Sequence, residues 1–322
     1  MPLDPFLIPL AGAAAANPFP DPVEDWDGLR ANEVATVNML VNEFAEPGPA
    51  VKEKRTVTVP VTDGEIDLNI FWPFTDGPHP VHFYFHGGGW VAGSIHTDIV
   101  DITCQERAIG ADCIVVTVEY RKAPQHPFPT AVNDVHEALL WVTEHADELG
   151  IRADAITVGG GSAGANLAAA LTLKVRNEGG PPIIFQLLEV PALDLATKES
   201  ESRTRNAFGY GLDERTISIL GPLYLSNPAV DARNPYASPL LASDLSNLPP
   251  AHIMSSEFDP LADDGKRYAK RLNDAGVPAQ FYLGLGHIHG SSAYTKTMES
   301  ARVWRNQALD VLRNANQDAI GK

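Results

Sequence analysis

The 322-residue sequence predicts an α/β domain built on a mostly parallel, twisted sheet of eight strands flanked by helices. Three observations carry that prediction. Short apolar runs of strand length recur along the chain and alternate with segments of helical periodicity, the order that a parallel sheet requires. A stretch of period two, interrupted by Asp63-Gly64, precedes them and reads as an antiparallel hairpin. Glycine clusters follow directly on two of the apolar runs, where a strand must turn sharply into the next segment.

Taken in order, residues 1–50 form a Pro-rich entry and then a helical leader, with Leu29, Val34, Val37, Leu40 and Phe44 at helical spacing before Pro47-Gly48-Pro49. The segment Phe6-Leu7-Ile8-Pro9-Leu10, followed by Ala13–Ala16, imitates a secretory signal, but its charge pattern is wrong. Asp4 precedes the apolar run, no Lys or Arg occurs before Arg30, and Pro5 and Pro9 interrupt it, so a cytoplasmic protein is expected. Val57, Val59 and Val61 pair with Ile66, Leu68 and Ile70 in the hairpin. Strands are then expected at 81–85, 113–118, 155–158, 183–190 and 252–254, each separated by a helical pattern. In one of those helices Thr130 is the expected N-cap, and Val132, Val135, Leu139 and Val142 make a stripe toward the sheet. About sixty residues separate Val190 from His252, more than a crossover needs, so extra helices are expected there, chiefly at 213–225. A last strand at 280–283 and a helix from Ser292 to about Arg313 close the pattern.

Composition narrows the partners. The net charge of −17 is spread along the chain with no basic stripe, which excludes phosphate-backbone binding as a working hypothesis. No apolar run reaches the roughly 20 residues of a membrane span, and no basic amphipathic segment suits docking on lipid. A small-molecule substrate is the expected partner. Cys104 and Cys113 are expected to be buried free thiols, since a large α/β chain needs no disulfide framework.

The chemistry-bearing pattern begins at Gly160-Gly161-Ser162-Ala163-Gly164, which follows a strand-like run and precedes a helical one. A serine on such a turn has its hydroxyl projected away from the backbone, the geometry of a nucleophile elbow. His86-Gly87-Gly88-Gly89-Trp90 follows another strand; with no Gly-Lys-Ser/Thr after it, a phosphate cradle is disfavoured. Gly88, Gly89 and the Ala163 amide are the candidate oxyanion donors. Asp259, in Glu257-Phe258-Asp259-Pro260-Leu261, falls at a strand's carboxyl end and is the candidate acid. Two histidines, His287 and His289, compete as the base in Gly286-His287-Ile288-His289-Gly290. Their alternation also permits a Zn²⁺ reading, but no third ligand is signalled, and Asp263 and Asp264 are explained by the first turn of a helix, so no metal is expected.

Together these residues resemble the bacterial hormone-sensitive-lipase-like esterases, also called family IV of the bacterial lipolytic enzymes. The likeness runs from about Val81 to the C-terminal helix, through His86-Gly87-Gly88-Gly89-Trp90, Tyr120–Pro124, Phe128-Pro129 with Asp134, the Ser162 elbow, Ser238-Pro239-Leu240, Leu248-Pro249-Pro250, Asp259-Pro260-Leu261 with Asp264-Gly265, and His289-Gly290. It implies an α/β-hydrolase fold with Ser162 as nucleophile, His289 as base, Asp259 as its partner, and Gly88, Gly89 and Ala163 as oxyanion hole, with His86, Gly87, Gly160 and Gly164 as supporting motif residues. It also implies a core at 51–195 and 246–322, a cap from 1–50 and 196–245, short acetyl- to hexanoyl-type ester substrates, no cofactor, and a homodimer through the edge strand at 280–283. Lactone or amide hydrolysis on the same site, and a non-catalytic receptor on the same scaffold, are the alternatives.

Three departures stand out. Gly161 replaces the acidic residue that members usually carry before the nucleophile. Lys122 and Gln125 replace Leu and Glu in the Tyr-Arg-Leu-Ala-Pro-Glu signature. Ser291 stands where Phe usually follows His-Gly.

Overall fold

A computed structural model describes residues 2–197 and 199–320 of the chain. Among these the strands are β1 (Glu53–Val61), β2 (Gly64–Trp72), β3 (His79–Phe85), β4 (Ile114–Val118), β5 (Ile151–Gly161), β6 (Ile183–Glu189), β7 (Ala251–Phe258) and β8 (Ala279–Ile288). The helices are α1 (Leu7–Ala16), α2 (Trp26–Phe44), α3 (Asp98–Gly110), α4 (Thr130–Glu144), α5 (Ala146–Leu149), α6 (Ala163–Glu178), α7 (Glu201–Arg205), α8 (Glu214–Tyr224), α9 (Pro228–Asp231), α10 (Ala262–Asp274) and α11 (Glu299–Ile320). The strands form one eight-stranded sheet in the order β1-β2-β4-β3-β5-β6-β7-β8. β1 and β2 are antiparallel, β2 is antiparallel to β4, and the strands from β4 to β8 are mutually parallel.

The burial pattern explains the sequence pattern. Every residue of β3 and β4 is buried, which is why they read as continuous apolar runs. Val81, Phe83 and Phe85 pack with α4, α6 and α10 on one face, while Tyr84, Val115, Leu187 and Met254 pack with α3 and α11 on the other. The stripe Val132, Val135, Leu139 and Val142 is fully buried, each side chain contributing about 1.5–3 kcal/mol of hydrophobic stabilisation. α6 is buried along most of its length, because it packs on the sheet and beside α4 with small side chains such as Ala165, Ala168 and Ala169 at the contacts. Arg121 fastens the hairpin to this layer. It donates to the backbone oxygens of Thr62 and Asp63 and to the buried carboxylate of Asp134, with Nη2 at 2.6 Å from Oδ1.

Several expected elements shift. The hairpin turns at Thr62 and Asp63, and Gly64 already pairs with Val61 as the first residue of β2. The Pro-rich entry contains a helix, α1; Pro9 is tolerated because it lies in the first turn, where a backbone N–H has no intrahelical acceptor. Thr130 is the first residue of α4 and not its cap; Pro129 occupies the N-cap and makes no side-chain bond. The terminal helix starts at Glu299, because a 3-10 turn at Ser291–Ala293 and a loop intervene. Cys104 on α3 and Cys113 just before β4 are free and buried, and burial pushes the Cys113 thiol up to about 12.

One buried carboxyl shapes the long connection after β6. Asp264, in the first turn of α10, accepts from the backbone N–H groups of Leu193 at 3.0 Å and Asp194 at 3.1 Å. Burial pushes its carboxyl up to about 7, outweighing the opposing pull of Arg203 and the Leu193 amide. An unfolded aspartate releases its proton near pH ~4, so between about pH 4 and 7 the folded chain binds more protons. Stability contributed by this group is therefore complete below that window and is lost as pH rises through it. Urea unfolding of wild type and Asp264→Asn should show a shallower decline for the variant across the window; parallel declines would contradict a protonated Asp264.

Candidate active site

β5 ends at Gly161 and α6 begins at Ala163, leaving Ser162 alone in the turn with φ +57° and ψ −117°. A serine held there is strained by about 1–3 kcal/mol, so the surroundings must impose it. They do so from three sides. The Ser162 N–H donates to the backbone oxygen of Glu189 on β6 at 2.8 Å, and the Ser162 oxygen accepts from Asn166 N at 3.1 Å. The Asn166 side chain in turn donates to the oxygens of Ala192 and Ala237 at 2.7 and 2.9 Å. On the third side the turn is pressed against the end of β3. A Cβ on Gly164 would lie 1.9 Å from the Phe85 oxygen, and one on Gly160 would lie 2.4 Å from the same atom.

The loop after β3 lies beside this turn. A Cβ on Gly87 would meet Ser162 Cβ at 3.4 Å, and the loop continues through Gly88 and Gly89 at φ +114° and +59°. His86 supports the loop from below: its ring stacks on Tyr120 at 4.3 Å and its Nδ1 is hydrogen-bonded to the Gly87 oxygen at 2.7 Å. Burial lowers its pKa to about 4, which keeps it a neutral scaffold residue. Ala163 is the first residue of α6, and an N–H at that position has no intrahelical acceptor.

β7 and β8 supply the candidate acid and base. They are parallel neighbours with Phe258 in register with Ile288, so the residues that follow, Asp259 and His289, emerge side by side. Asp259 is fully buried; its Oδ2 lies 2.7 Å from His289 Nδ1, and its Oδ1 accepts from Leu261 N at 2.8 Å. Asn206, from the connection between α7 and α8, donates to the Asp259 backbone oxygen at 3.0 Å. His287 is separated from the site. It is fully buried, its Nδ1 lies 2.8 Å from Ser291 Oγ, and its ring packs on Trp304. Ser291 thus holds His287 away from Ser162, and the Zn²⁺ reading of the two histidines loses its shared face. Among the described residues no group of three or more His, Cys, Asp or Glu side chains is arranged to hold a metal ion.

Ser162, His289, Gly88 and Gly89 all line one cavity of about 530 Å³, a volume typical of small-molecule sites. It is also lined by Phe19, Glu33 and Val37 from the N-terminal segment and by Leu212, Ile217 and Leu220 from the long connection. Arg30 and Glu33 tie α2 to the glycine loop, through Arg30 Nε to the Val91 oxygen at 2.9 Å and Gly93 N to Glu33 Oε2 at 3.1 Å. From α8, Leu220 abuts Gly89, and Tyr224 stacks on Trp90 at 4.4 Å. Sequence reasoning missed Asn166, Asn206 and Glu189, because each acts through a bond to a distant part of the chain and belongs to no local motif.

Comparison with known proteins follows the same lines. The profile of a family described as having the alpha/beta hydrolase fold matches residues 82–293. Esterase LipI of Mycobacterium tuberculosis is 39% identical over 272 residues, covering 82% of this chain and 83% of its own. An arylesterase of Saccharolobus solfataricus is 37% identical over 272 residues, covering 83% of this chain and 87% of its own. The structure of a hyperthermophilic esterase from Pyrobaculum calidifontis superposes with a TM-score of 0.91 at 34% identity, covering 98% of this chain and 99% of that one. Among the described residues no helix is long and apolar enough to cross a membrane.

The contact between the turn and β3 gives a direct test. Gly164→Ala places a methyl group within 1.9 Å of a backbone oxygen, so the turn or the strand must move. The variant is expected to lose about 2 kcal/mol or more of stability together with most of its reactivity toward esters. Unaltered thermal unfolding and unaltered rates would show that the close approach does not hold Ser162.

Proposed function

Because the chain belongs to the α/β-hydrolase family, among its hormone-sensitive-lipase-like members, and is a carboxylesterase, we propose that Ser162, His289 and Asp259 carry out the reaction. The observation that supports this most is the 2.7 Å bond between buried Asp259 and His289 Nδ1, made at the wall of the cavity that Ser162 enters. With Nδ1 engaged as donor to the carboxylate, Nε2 is the nitrogen left to accept the serine proton.

In this reading His289 takes the proton of Ser162 as Oγ attacks the ester carbonyl, and the N–H groups of Gly88, Gly89 and Ala163 receive the developing oxyanion. The imidazolium then protonates the leaving alcohol, and water, activated by the same histidine, hydrolyses the acyl-enzyme. Asp259 holds the tautomer and stabilises the imidazolium. No step needs a cofactor. Residues 1–50 and 196–245 serve as a cap, consistent with the side chains that both segments contribute to the cavity lining. The substrates are acetyl- to hexanoyl-type esters, with aryl esters among them as the name of the Saccharolobus relative suggests. The bonded acid and base at the cavity favour this over a non-catalytic receptor.

A series of p-nitrophenyl esters, run with wild type, Ser162→Ala, Asp259→Asn, His289→Ala and His287→Ala, tests the assignment. Ser162→Ala and His289→Ala should each lower kcat by roughly three to six orders of magnitude and Asp259→Asn by about four. His287→Ala should keep most of its rate, because the ring is buried away from the cavity. Near-normal turnover by Ser162→Ala, or a loss in His287→Ala matching that in His289→Ala, would refute it.

A further inference from the structure

Gly161 differs from the glycines around it. A Cβ on Gly159, Gly160 or Gly164 would lie within 2.6 Å of a backbone oxygen, but one on Gly161 would meet only the Tyr84 hydroxyl, at 3.7 Å. Its φ is outside the left-handed region, so the backbone would accept any residue there. The turn therefore does not require glycine at 161. The missing side chain is a property of the cavity, which Gly161 lines immediately before Ser162.

Behind that open position the cavity continues into the layer between the sheet and α3 and α11. Tyr84, Thr103, Arg107, Glu189, Trp304 and Ala308 line this inner chamber. Its charges are already paired. Arg107 is ion-paired with Glu189, reaches His82 Nε2 at 3.1 Å and lies 4.4 Å from the centre of the Tyr84 ring, while Glu189 accepts from Trp304 Nε1 at 2.8 Å. Walls satisfied in this way offer nothing to a charged occupant, whereas a neutral chain can enter without unpairing any of them.

The direction of the ester follows from the sheet order. The leaving oxygen must face His289 to receive its proton, and β7 and β8 lie on one flank of β5 while β3, with Tyr84, lies on the other. The loop after β3 receives the oxyanion, so the acyl substituent takes the remaining opening, the side-chain space of Gly161 in front of Tyr84. We infer that Gly161 is a specificity-determining residue: its empty side-chain space passes a neutral aliphatic acyl group from Ser162 into the chamber beside Tyr84, and the residue at 161 sets the acyl length that the enzyme accepts. This deepens the carboxylesterase reading and rests on Ser162 being the nucleophile.

The test compares p-nitrophenyl acetate, butanoate and hexanoate with ethyl, butyl and hexyl acetate, using wild type, Gly161→Ala, Gly161→Leu and Thr103→Leu. Gly161→Leu should lower the hexanoate-to-acetate ratio of kcat/KM by roughly tenfold to a hundredfold, Gly161→Ala by less, and Thr103→Leu should penalise hexanoate more than butanoate. The hexyl-to-ethyl ratio in the acetate series should stay at its wild-type value. Unchanged acyl ratios in the Gly161 variants, or a shift confined to the alcohol series, would overturn the inference. Labelling by a small methylphosphonate ester separates the two levels. Failure to label Ser162 in wild type would defeat the catalytic reading itself, while normal labelling of the variants with unchanged ratios would defeat only the role of Gly161. Should Gly161→Leu not fold, Gly161→Ala and Thr103→Leu carry the same comparison.

Discussion

The site depends on a backbone contact: the turn between β5 and α6 is packed against the last carbonyl of β3 so closely that a methyl group fits at neither Gly160 nor Gly164. That contact lets a serine occupy a backbone conformation it would otherwise avoid, at φ +57°. Burial of α6 and β3 on both sides supplies the stabilisation that offsets the strain. The same approach brings the loop after β3 alongside Ser162, so one packing decision positions both the hydroxyl and the glycine amides. The bond from Ser162 N to Glu189 completes the hold, and it joins the turn to the buried Arg107–Glu189 pair on the opposite face of the sheet from α6.

The proposed acid and base come from a different device. Parallel strands of equal phase deliver Asp259 and His289 at the same sheet edge, and the fully buried carboxylate fixes the ring. His287 shows how local that selection is. Two residues away on β8, it falls among α11 and the 3-10 turn, where Ser291 engages it. Ser291 thus has a structural use at a position where Phe is usual. Gly161, the other departure beside the site, leaves room and removes a charge, and the cavity extends through that room.

Most of the sheet and the outline of the site could be read from residues in sequence. Continuous apolar runs marked β3 and β4 because both faces are covered, and alternation marked β1, whose buried residues Val59 and Val61 alternate with exposed ones, and β2, where the residues between Ile66, Leu68 and Ile70 are the polar Asp67 and Asn69. Ser162, Asp259 and His289 were legible because each stands in a short motif at the end of a strand. Other features depended on contacts that no local pattern encodes. Pro9 suggested an irregular entry, yet the first helical turn leaves that N–H without an acceptor in any case. Thr130 had a capping residue's chemistry, but the chain enters α4 from Pro129. The terminal helix lost its first turns to the loop that carries Ser291. Asn206 reaches Asp259 from more than fifty positions away, and the inner chamber is assembled from β3, β6, α3 and α11, so its existence was invisible before the layers were stacked.

The proposed chemistry requires a single strained serine, Ser162, as the reacting group. Titration with a fluorophosphonate, followed by mass-spectrometric mapping and residual ester hydrolysis measured on the same samples, tests it most directly. One adduct per chain on Ser162, with hydrolysis falling in proportion to labelling, is the predicted result. Hydrolysis persisting in fully labelled protein, or an adduct on another residue, would contradict it.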